Sequence, residues 1–351
     1  MNDAEKLWSR LAAAGLVQGT LPPEERAAPW YVRAVQGLSG WLAAVCLLVF
    51  LGTLFHDLFQ EPLSLLVLGG LLTGLAGVLL YRPSGSDFRG QFGLVFSLAG
   101  QIMLLGSGKD YWDESGFWLL WAVFQALLAW RIPQPVHRFL SALAVIYALT
   151  LAMAQTPLFW LVSALLAGAL AVLTLNENRR LAQAALWSPV NAAVAVALLQ
   201  TYALSLFSPA LMAHLIRNER MAPPSAVLQN LNEGLVALVW VLTAAWLLRS
   251  ATLSRRSLWL AGLGVLAVAA WSTQAQGLTV AWLMLVLGFA RANPVLAGLG
   301  MSVFWGFLSR YYYLMQTPLL EKSLILVNGG LVFLLAYGVL HYAGREKRDE
   351  A

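Results

Sequence analysis

In a chain built mostly of Leu, Ala, Val and Gly, residues 308–330 read LSRYYYLMQTPLLEKSLILVNGG. One hairpin thus gathers Arg310, Tyr311, Tyr312, Tyr313, Glu321, Lys322 and Asn328. Arg310 ends one apolar run and Glu321 begins the next, so an ion pair across the hairpin is expected. The three tyrosines form an aromatic belt at the membrane–water boundary, and Gln316, Thr317 and Pro318 make the turn, with proline suited to the first turn of a helix. Lys322 can snorkel outward, while Glu321 and Asn328, seven residues apart, share one helix face thinned by Gly329 and Gly330. Isolated charges cost about 2.5 to 3.5 kcal/mol each at a bilayer centre and less near its edge, so pairing or water is required. The hairpin reads first as a structural clamp and second as a site for a ligand, lipid or partner.

A second constellation is Asn230, Asn232 and Glu233, at the expected start of another apolar run. Asn232 and Glu233 are secondary site candidates, although an acid at a helix start also fits simple dipole electrostatics. Lys109, Asp110, Asp113 and Glu114 crowd one short loop and read as a solvated cap. His56, Asp57 and His214 share one expected side, but three scattered ligands do not predict a metal. The sequence has no HExxH, GxSxG, P-loop or GxGxxG before a helix, and no catalytic residue, cofactor or metal is predicted.

The elements that position these residues follow from composition. The 351 residues are 60% apolar and only 11% charged, with mean hydropathy +0.70. A water-soluble globule carries about 25% charged residues, so this chain belongs in a bilayer. Its 22 Lys and Arg are scattered singly or in pairs, without the clustered basic face that nucleic acid requires. The single cysteine, Cys46, permits no intrachain disulfide.

At 1.5 Å per residue, about 20 apolar residues cross the hydrocarbon core. The expected fold is all-α, a polytopic transmembrane bundle of about twelve spans, with ten or eleven as alternatives. The runs are 37–55, 62–81, 90–107, 115–131, 138–154, 157–175, 185–206, 232–249, 257–273, 276–290, 294–313 and 318–342. The tenth, of 15 residues, is short and is expected to tilt into a neighbour or re-enter. With the N-terminus cytoplasmic, the outer segments hold only Lys109, Arg217, Arg220, Arg310 and Lys322, leaving seventeen basic residues inside. That bias predicts an even number of spans and a cytoplasmic C-terminus. Residues 1–36 form an inner segment whose stretch DAEKLWSRLAAA makes a short amphipathic helix ended by Gly15. Residues 37–342 form the membrane domain, and 343–351 a charged inner tail.

Spans associate in lipid through small residues and interhelical hydrogen bonds. Gly70 with Gly74, the stripe Gly93, Ser97 and Gly100, and Gly298, Gly300 and Gly306 are the expected close contacts. Gln101, Gln125, Asn191 and Gln200 fall inside spans and should point inward, as joints between helices or as the lining of a polar path.

The stretches PWYVRAVQGLSGWLAAVCLLVFLG and GFARANPVLAGLGMSVFWGFLSRYYYLMQTPLLEKSLILVNGGLVFLLAYGVL resemble the two ends of a bacterial membrane family, domain of unknown function 4401. The resemblance implies a multi-pass protein of the Gram-negative inner membrane, encoded beside a second multi-span protein and a membrane-anchored protein with a GDYxxLxY motif. It brings no reaction. Arg310, Tyr311, Tyr312, Tyr313, Glu321 and Lys322 carry over only as signature positions. Partners are then the lipid bilayer and membrane or periplasmic proteins encoded nearby. The preferred reading is a non-enzymatic membrane subunit or scaffold; a transporter or lipid-handling protein is second, and an intramembrane enzyme of the outer leaflet third.

The hairpin pair gives the first testable outcome. Arg310→Ala and Glu321→Ala should each lower the thermal unfolding midpoint in detergent, with a non-additive double variant; strictly additive losses would refute the pairing.

Overall fold

The computed structural model describes residues 8–10, 12–15, 17, 30–54, 61–81, 87–111, 114–154, 156–207, 226–250, 255–272, 277–314, 320, 323 and 327. Among them there is no β-strand. The helices are α1 (Trp30–Leu54), α2 (Pro62–Tyr81), α3 (Asp87–Ser107), α4 (Ser115–Arg131), α5 (Pro135–Ala152) and α6 (Val162–Leu175). They continue as α7 (Ala184–Phe207), α8 (Ala226–Ser250), α9 (Arg255–Ser272), α10 (Leu278–Ala290) and α11 (Pro294–Leu314). Single 3-10 turns at Pro157–Leu161 and Glu177–Gln183 lead into α6 and α7.

These helices overlie the first eleven expected runs, and the twelfth run lies almost wholly outside the described residues. Among the described residues, six helical stretches are long and apolar enough to cross a membrane: Pro62–Tyr81, Phe88–Ser107, Pro135–Ala152, Pro157–Leu175, Glu177–Leu204 and Val227–Arg249. The protein is therefore a helical membrane protein. Two starts differ most from expectation: α1 opens at Trp30 rather than 37, and α8 at Ala226 rather than 232. Polar and aromatic residues at a span's edge continue the helix, because a helix supplies its own backbone partners as it leaves the hydrocarbon.

The chain divides into two compact units, Met1–Ile102 and Met103–Ala351. In the first, Ala44, Ala76, Val95 and Phe96 form the core, with Leu48, Leu72 and Phe92 against it. Gly93, Ser97 and Gly100 are buried on α3, as the stripe predicted. A Cβ on Gly100 would lie 2.5 Å from Thr73 Oγ1 and 2.7 Å from the Gly69 carbonyl oxygen. Gly70 and Gly74, in contrast, have open space around them. The GxxxG expectation is thus corrected: α2 turns Gly69, Thr73, Ala76 and Leu80 inward, one residue out of phase.

In the second unit α10 is the central element. Its 13 residues rise about 20 Å, short of a hydrocarbon core about 30 Å thick. Leu278, Val280, Ala281, Leu283, Met284 and Leu287 are all fully buried. A helix apolar on every side is a core helix, and one enclosed by other helices need not match the bilayer's thickness. The turn to α11 is short: Ala292 takes φ 50, and the Asn293 side chain accepts from Leu296 N–H at 3.1 Å, ahead of Pro294. The backbones then run close, with a Cβ on Gly300 falling 2.7 Å from Leu285 N. Gly298 and Gly306 face open space instead.

Three arginines close helix ends in the same way. Arg89 donates to the Leu79 carbonyl of α2 at 3.2 Å, Arg138 to the Ala129 carbonyl of α4 at 3.1 Å, and Arg291 to the Leu175 carbonyl of α6. Each guanidinium thereby meets carbonyls left free in a last turn and the negative end of a helix dipole. All three belong to segments expected on the cytoplasmic side.

The α2–α3 contact yields a paired prediction. Gly100→Ala should destabilise by about 1 to 3 kcal/mol through overpacking, whereas Gly70→Ala should be neutral or stabilising. Chemical denaturation in mild detergent measures both, and equal effects would contradict the assigned face.

Candidate functional site

The buried stripe of α8 is Glu233, Val236, Ala237, Trp240, Thr243 and Ala244, a helical period with a carboxyl at its upper end. Glu233 stands in the second turn of α8, because the helix starts at Ala226. The dipole explanation for this acid therefore fails, since that field fades within the first turn. Tyr202 arrives on the matching stripe of α7, after Val194, Ala195 and Leu198, five residues before the helix ends. Ser163 is the second residue of α6, and Phe307 lies near the end of α11. If successive helices alternate in direction, all four helix ends belong to one face of the membrane, the expected outer one.

These side chains meet. The Tyr202 hydroxyl donates to Glu233 Oε1 at 3.1 Å, and the Ser163 hydroxyl donates to Asn232 Oδ1 at 2.8 Å. Ser163 and Asn232 lie beside the Tyr202 hydroxyl, so the four form one polar cluster across α6, α7 and α8. Tyr202 is 3% exposed and Glu233 8%. The Phe307 ring meets the Tyr202 ring edge-on with centroids 6.2 Å apart, and Phe307 itself seats against Gly277, whose φ is +89. Glu233 Oε2 is buried and has no hydrogen-bond partner among the described residues. An ionised carboxylate in that position is costly unless a positive charge meets it.

The leading sequence candidates are placed only in part. Arg310 is half-buried one turn beyond Phe307, and the Tyr312 and Tyr313 rings meet edge to face at 5.7 Å, with Tyr313 turned outward. The Tyr311 side chain and residues Glu321, Lys322 and Asn328 lie outside the described residues, as do His56, Asp57 and His214. Lys109, Asp110 and Glu114 are exposed, in keeping with a solvated cap. Of the candidates, Asn232 and Glu233 are the ones brought into a described network. Tyr202 and Ser163 were missed. A tyrosine or serine near a span end reads as an interface residue, and only alignment of the buried stripes of three helices would have singled them out.

The intraspan amides also find partners. The Tyr147 hydroxyl of α5 donates to Gln200 of α7; Asn191 of α7 donates to the Thr174 hydroxyl of α6 at 3.1 Å; and Gln101 donates to Ser97 at 2.9 Å within α3. Gln125 is fully buried.

The chain belongs to the family described as domain of unknown function (DUF4401), whose model matches residues 29–343. No curated protein and no solved structure matches it. The matched span takes in α1 to α11 and the polar hairpin.

Proposed function

We propose that this protein is a non-enzymatic subunit of a membrane complex in the bacterial envelope, a helical scaffold of the inner membrane. The observation that carries this reading is the use made of the polar groups inside the spans. Gln200 joins α5 to α7, Asn191 joins α7 to α6, and Asn232 joins α8 to α6. Three groups that could have lined a permeation path are thus consumed as joints between helices, which suits a rigid membrane body. Leu63, Leu71 and Val78 of α2 and Leu120, Val123 and Leu127 of α4 stay exposed, apolar area for lipid or for neighbouring membrane helices. Membrane transport is the second reading, favoured by one specific feature, the buried Glu233 carboxyl with its free oxygen.

Copurification separates the two. Extracted in mild detergent from its native membrane, a scaffold should carry other membrane proteins at fixed stoichiometry through affinity capture and sizing. A monodisperse chain with no companion would refute the subunit reading.

A further inference from the structure

The geometry points to Glu233 as the centre of a binding site for one small monovalent cation, a proton or a sodium-sized ion, held by the oxygens of Glu233, Tyr202, Asn232 and Ser163. The inference is independent of the proposed function, because such an ion can be structural in a scaffold or coupling in a carrier.

The argument begins with charge. Among the described residues, the elements packed around Glu233 carry few ionisable groups. α6, α10 and the turn Pro157–Leu161 contain none in their sequences, and α7 contains only Tyr202. On α9 only Arg255 and Arg256 are charged, at the opposite end of the helix from its Ser272 terminus. α8 itself adds only Arg249, in its last turn. On α11 the nearest charge is Arg310, followed by the tyrosines, one turn beyond the Phe307 contact. Glu233 makes no ion pair among the described residues, and the group that meets it there is the neutral hydroxyl of Tyr202.

The coordination chemistry follows. Tyr202 O–H satisfies Oε1, leaving Oε2 buried and unmatched. The other polar atoms of the cluster are neutral: the Tyr202 hydroxyl on Oε1, and beside Tyr202 the Ser163 hydroxyl bonded to the Asn232 amide oxygen. Hard cations take oxygen ligands, and a site with one carboxylate balances one positive charge. Divalent ions are disfavoured, since no group of three His, Cys, Asp or Glu exists among the described residues. A proton on Oε2 and a sodium ion against it are the two ways of supplying the same charge.

Two measurements on the detergent-purified full chain distinguish them. In the first, the unfolding midpoint is followed as NaCl replaces choline chloride at constant pH and ionic strength. Sodium binding should raise it by roughly 2 to 4 °C per tenfold increase above Kd, with no such response in Glu233→Gln. In the second, infrared spectra at neutral pH are compared with those of Glu233→Gln. Proton binding should appear as a buried carboxylic acid band that the variant lacks. If Glu233→Gln does not fold, Tyr202→Phe keeps the carboxyl and should weaken the sodium response or move the acid band. A wild-type protein with an ionised Glu233 and no sodium response would overturn the proposal.

Discussion

Lipid offers no hydrogen bonds, so each polar group that this chain carries into the bilayer must be matched by another part of the protein. The helices solve the problem for the backbone. The three arginines on the ends of α2, α4 and α6 solve it for last-turn carbonyls, where the donor is also a charge of the right sign. The amides solve it for side chains by meeting hydroxyls, across helices at Asn191 and Gln200 and within a helix at Gln101. Glu233 is a charged group for which the matching stops one atom short: among the described residues its Oε1 is satisfied and its Oε2 is not.

The core helix shows how the same constraint frees as well as restricts. α10 is too short to span alone, yet most of its length is packed by protein, with Phe289 and Ala290 exposed at its C-terminal end. Its glycine-lined approach to α11 then brings Phe307 onto Tyr202, and the Tyr202 hydroxyl onto Glu233. The signature hairpin begins one turn further along α11. The described half of that hairpin and the carboxyl network thus sit on consecutive turns, which joins the two constellations that composition alone kept apart.

Much of this was legible in advance and some was not, for definite reasons. Helix existence followed from apolar run length, and each of the eleven described helices coincides with a run. Helix starts were not legible at α1 and α8, because hydropathy reports where lipid ends and not where the helix ends. The GxxxG pair at Gly70 and Gly74 was misleading since small residues permit close contact on any face; neighbouring Gly69 and Thr73 take it. Glu233 and Asn232 stood out by type. Tyr202 and Ser163 did not, since their role depends on three helices aligning their buried stripes, and single-helix periodicity carries no information about which stripes meet.

If the helices alternate with their basic segments on the cytoplasmic side, Glu233 and Arg310 lie near the opposite face. Alkaline phosphatase and fluorescent-protein fusions, inserted near residue 220 and after residue 351, test it most directly. Phosphatase activity at the internal site with fluorescence at the C-terminus is the predicted result. Phosphatase activity at the C-terminus, with none near residue 220, would contradict it.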